Sequence, residues 1–86
     1  MGLREPNIKR ETNYVQRLLE RLQRELTERG RKTTPFSDVC DMVAVPRDLR
    51  AALRRTLEGK GYVKPEGGDL VSITAAGTKL AASPLS

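Results

Sequence analysis

Arg47, Arg50 and Arg54 stand three and four residues apart, with Ala51 between them. On a helix that spacing brings all three guanidiniums to one side. A guanidinium can grip guanine O6 and N7 through two parallel hydrogen bonds, or clamp a phosphate. Ala51 leaves room for close approach and can touch a thymine methyl. Arg55, Lys60 and Lys64 flank the row and suit phosphate contacts. The alternative is a solvated face, because Leu49, Leu53 and Leu57 recur on the other side and any soluble helix places Arg outside and Leu inside. Residues 46–64 carry six basic side chains against two acidic ones, and that excess favours a polyanion.

Little other chemistry is on offer. His is absent and Cys40 stands alone, which excludes zinc fingers, Cys–His nucleophiles and His-based acid–base catalysis. Cys40 reads as a small buried residue rather than a redox sensor. Ser37 beside Asp38 lacks a base to activate its hydroxyl. No helix follows Gly67-Gly68, so this is not a phosphate-binding loop. The aromatics are Tyr14, Phe36 and Tyr62, 3% of the chain, too few for a base-stacking platform. Tyr62 reads as packing between a helix and a sheet. The expectation is a chain without enzymatic activity, metal or cofactor.

The chain is 86 residues long with a net charge of +5 and a pI of 9.9, the size of one small domain. Two basic blocks, 1–32 and 46–64, each carry a net +4 and flank an acidic stretch at 33–45. A polyanion would meet either block. Apolar runs are too short for a membrane span or a signal peptide. A single cysteine fits a reducing compartment, and the cytoplasm is the expected location.

The elements follow from periodicity. Residues 7–29 contain neither Gly nor Pro, and Ile8, Thr12, Val15, Leu19, Leu22 and Leu26 repeat at helical spacing, widened by Leu18. Asn7 is the expected N-cap and Gly30 the stop. Glu20–Arg24 and Glu25–Arg29 have the spacing of surface ion pairs. Residues 31–35 suit a short extended crossing. A second helix begins near Ser37, capped by Ser37 or Thr34, and breaks at Ala44-Val45-Pro46. A third spans about 47–58. Residues 62–64 and 70–74 read as two strands joined through the turn formers 65–69. A last helical turn falls at 75–82, and 83–86 reads as a frayed tail.

This order, and two segments in particular, resembles the winged helix-turn-helix family. Leu53-Arg54-Arg55-Thr56-Leu57-Glu58-Gly59-Lys60-Gly61-Tyr62-Val63 is similar to the end of a family recognition helix leading into the first wing strand. Ile73-Thr74-Ala75-Ala76-Gly77-Thr78-Lys79-Leu80 is similar to the Leu-Thr-x-x-Gly-x-x-Leu segment that closes many small bacterial, archaeal and phage-type regulators. The resemblance implies an α+β winged-helix domain in which residues 18–82 form the core and 1–17 an arm or extended helix. It also implies double-stranded DNA as the partner, transcriptional regulation as the role, and the helix at about 47–58 as the reader. Arg47, Arg50, Ala51, Arg54, Arg55, Lys60 and Lys64 are the candidate contacts. Two departures from the family pattern stand out: Val45-Pro46 offers no side-chain cap, and Glu66 and Asp69 make the wing tip acidic.

The first helix is long enough for a second role. Its stripe continues beyond what one small core covers, so Ile8, Thr12, Val15 and Leu19 are candidate residues for a homodimer seam. A symmetric pair would set two reading helices about 34 Å apart on one face of a duplex. Two other readings are a protein–protein adaptor and a basic RNA- or ribosome-associated domain.

Overall fold

The computed structural model describes residues 5–82, with side chains from residue 13 onward. Along these residues the elements are α1 (Glu5–Arg29), β1 (Thr34–Pro35), α2 (Phe36–Val43), α3 (Arg47–Gly59), β2 (Val63–Gly67), β3 (Leu70–Ile73) and α4 (Ala75–Ala82). The class is α+β, with four helices and a three-stranded antiparallel sheet. The expected tail at 83–86 lies outside the described residues, as do the side chains of Ile8 and Thr12.

The sheet order is β1-β3-β2, so the central strand is the last in sequence. Thr34 faces Val71 across β1–β3, and Val63 faces Ile73 across β2–β3. Pairing runs further into the expected turn than the sequence suggests. β2 continues to Gly67, with an irregularity between Pro65 and Gly67. Pro65 lacks an N–H, which an edge strand tolerates. Gly67 and Gly68 adopt φ of 112° and 56°, values that residues with a side chain rarely take, and so close the hairpin tightly.

Leu18, Leu19 and Leu22 of α1 pack with Phe36, Val39 and Cys40 of α2, and with Leu53 and Leu57 of α3. Val45, Val63 and Val71 complete this core. Tyr14, Val15, Tyr62, Ile73 and Leu80 pack around its edge. The buried side of α1 also carries Gln16 and Glu25, two polar residues that the leucine stripe does not announce. Helix starts differ from expectation as well. α1 begins at Glu5 rather than at Asn7, and α2 begins at Phe36 with no side-chain cap from its own segment.

Two helix ends set the turn geometry. Ala44 takes the left-handed conformation, φ 64°, and the Val45 N–H reaches back to the Cys40 carbonyl at 2.9 Å. Pro46 then opens α3, so three residues separate the two helices. At the other end of α3, the Tyr62 N–H bonds the Leu57 carbonyl at 2.9 Å, turning the chain into β2.

Candidate nucleic-acid interface

α3 turns Leu53 and Leu57 into the core and shows Arg47, Asp48, Ala51, Ala52 and Arg55 to solvent. The sequence fixes that orientation. Leu49, Leu53 and Leu57 form a stripe one side chain wide, and burying it leaves the opposite side outward. Among the described residues, the side chains of Arg47, Arg55, Lys60 and Lys64 make no hydrogen bond or ion pair and are exposed. Arg47, Ala51 and Arg55 lie four apart on that outward side, one turn above another. Lys60 follows the helix and Lys64 projects from β2.

Arg50 and Arg54 lie on the flank of α3 and are used inside the molecule. Arg50 donates to the Val45 carbonyl from Nε at 3.0 Å and to Asp41 Oδ1 from Nη2 at 2.9 Å. Arg54 donates from Nε to Glu58 at 2.7 Å and from Nη2 to the Gly68 carbonyl at 2.9 Å. Its Nη1 lies 3.8 Å from Asp69, and its guanidinium sits 5.9 Å from the centre of the Phe36 ring. The sequence places all three arginines of the first row on one face. The folded chain divides them: Arg47 is outward and free, while Arg50 braces the turn between α2 and α3 and Arg54 braces the hairpin.

Asp69 is the residue whose role is least visible in the sequence. Its carboxylate accepts the Ser37 N–H at 3.0 Å and the Ser37 hydroxyl, while its own carbonyl accepts the Phe36 N–H at 2.7 Å. The missing cap of α2 therefore comes from the hairpin, 32 residues away in sequence. These bonds, the Ser37 hydroxyl first and the Arg54 charge after it, hold the Asp69 carboxyl below its ordinary value. The acidic residue at the turn is a fastener between the hairpin and the helix pair.

The segment 73–80 fastens the opposite side. The Thr74 hydroxyl donates to the Gly61 carbonyl and accepts the Gly77 N–H at 3.1 Å, capping α4. The Thr74 N–H bonds the Tyr62 carbonyl at 3.0 Å. Gly77 is buried so closely that a Cβ there would lie 2.2 Å from the Tyr62 carbonyl oxygen. The end of α4 is held by α1, where Gln16 Nε2 donates to the carbonyls of Leu80 at 2.9 Å and Ala81 at 3.3 Å.

Glu25 is 1% exposed. Arg21, Arg29 and Arg31 approach it at 3.3, 3.7 and 3.7 Å. The expected Glu25–Arg29 pair thus forms around a buried carboxylate rather than on a surface. Arg24 pairs loosely with Glu28 at 3.9 Å, while Glu20 accepts from Gln16 at 3.3 Å. Cys40 is fully buried, and burial pushes its thiol up to about 11, so it carries no thiolate at neutral pH. Leu19 is wholly covered by its own domain and Val15 is half-buried against it.

Among the described residues no helix is long and apolar enough to cross a membrane. No group of three or more His, Cys, Asp or Glu side chains gathers there as a metal would require. Comparison of the chain with family models, curated proteins and solved structures found no match.

Proposed function

We propose that this chain is a winged helix-turn-helix protein that binds double-stranded DNA in a sequence-specific way, with α3 as its reading helix. The carrying observation is the outward side of α3, where Arg47 and Arg55 flank Ala51 without internal partners. The element order supports the same reading, since a helix pair joined by a three-residue turn is followed by a hairpin whose second strand also pairs with β1. Arg47 and Arg55 read base edges, Ala51 lies against a thymine methyl or a base edge, and Lys60 and Lys64 meet phosphates. Arg50 and Arg54 act by position, holding α2 and the hairpin at fixed angles to α3. The role is that of a small transcriptional regulator without catalysis, acting by occupancy or by recruiting a second protein.

One observation favours a protein–protein adaptor as the second reading. Both Arg50 and Arg54 are drawn into internal bonds, and Glu66 and Asp69 sit at the hairpin, which thins the positive surface. Selection from a pool of random duplex DNA at two salt concentrations separates the readings. A defined motif enriched at both concentrations supports the regulator. Retention blind to sequence and lost steeply with salt points to architectural or RNA binding. No retention at either concentration leaves the adaptor.

A further inference from the structure

An open groove of about 700 Å³ runs between α1 and α4 and ends at the C-terminus of α2. None of its lining residues belongs to α3. Its floor is apolar: Val43 and Ala81 line it, and Met42 stands 43% exposed. Arg21 Nε donates to the Met42 Sδ at 3.1 Å, at the edge of that floor. Its rim is basic. Arg17 makes no ion pair among the described residues. Among the described residues Arg24 has only the 3.9 Å approach to Glu28, with both side chains about two-thirds exposed. Arg21 also serves the buried Glu25, and among the described lining residues Glu20 is the acidic one.

An exposed methionine on a small-residue floor accepts varied apolar side chains, since a thioether stem repacks easily. Guanidiniums on the rim add selectivity for carboxylates through bidentate bonds. No aromatic side chain lines the groove, so bases would find nothing to stack on. The geometry points to a docking groove for an acidic peptide segment of a partner protein. One apolar side chain of that segment rests on Met42, Val43 and Ala81, and flanking carboxylates reach Arg17 and Arg24. This inference stands without the duplex-binding reading, because the two surfaces share no residue.

The test pans the full chain against a displayed library of random 12-residue peptides. Enriched peptides are then titrated into the chain labelled with 13C at its methionine methyls, of which only Met1 and Met42 exist. The expected result is enrichment of peptides with two or more carboxylates around an apolar residue, each shifting the Met42 methyl saturably. The double variant Arg17→Glu, Arg24→Glu should weaken binding at least about tenfold while keeping the wild-type melting temperature. Met42→Ala should weaken it with the rim intact. Enrichment of neutral or basic peptides, or no enrichment, would overturn the proposal. So would acidic peptides that leave the Met42 methyl unmoved, or duplex DNA moving that methyl where peptides do not.

Discussion

Asp69 shows how one carboxylate changes meaning between sequence and fold. At the tip of a hairpin it reads as a charge that would repel phosphate. In the structure it caps α2 through Ser37 and approaches Arg54, so its charge is largely answered within the molecule. The pH consequence has a definite sign. A carboxyl whose folded value is lowered stabilises the fold above its unfolded value of 3.8 and loses that contribution as pH falls through the folded value. Asp69→Asn should therefore melt below the wild type by a constant margin from about pH 5 to 8, and the margin should shrink below about pH 4. Thermal melts of both proteins across that range check it. A margin that grows on acidification would mean that the Ser37 bonds do not set the effect.

The elements were unequally legible. α1 announced itself through Leu18, Leu19 and Leu22, which do face the core. Gln16 and Glu25 were hidden in the same helix, because their reasons lie elsewhere: the carbonyls Gln16 caps come 64 and 65 residues later in the chain. The cap of α2 is hidden for the same cause, since local rules search only the adjoining residues and the acceptor is on the hairpin. The 73–80 segment was recognisable as a pattern, while its physics needed the fold. Thr74 caps α4 and ties it to Gly61, and Gly77 admits no side chain against Tyr62. Thr74→Val, nearly the same shape, should cost about 1–2 kcal/mol through the lost cap. Gly77→Ala should cost at least the ~1–3 kcal/mol typical of overpacking, because the obstacle is backbone. Denaturant unfolding of both variants measures this. A neutral Gly77→Ala would show that α4 can move off Tyr62 freely.

At the scale of the whole molecule, the candidate surface was half legible. Composition located the basic block, and helical spacing located its row of arginines. The division of that row into a free part and a bracing part required knowing where the hairpin lies. The dimer seam expected on α1 is narrowed in a similar way: Leu19 belongs to the core, leaving Ile8, Thr12 and the half-buried Val15. Two turns of such a seam would pair weakly. Sedimentation should show concentration-dependent association of the full chain and none for a chain beginning at Tyr14. A monomer at every concentration would make α1 a brace of its own domain alone.

Duplex affinity measured beside stability decides whether α3 is the reading helix. The measurement is fluorescence anisotropy on a selected and an unrelated duplex across a salt series for wild type, Arg47→Ala, Arg55→Ala, Lys60→Ala and Arg54→Ala, with a melting curve for each. Arg47→Ala and Arg55→Ala should each lose about 1–3 kcal/mol of specific affinity at an unchanged melting temperature. Lys60→Ala should weaken all duplexes alike and reduce the salt slope. Arg54→Ala should lower the melting temperature, because it frees Gly68 and Asp69 from α3. Unchanged affinity in both Arg47→Ala and Arg55→Ala, with the fold intact, would mean that the outward side of α3 does not read the duplex.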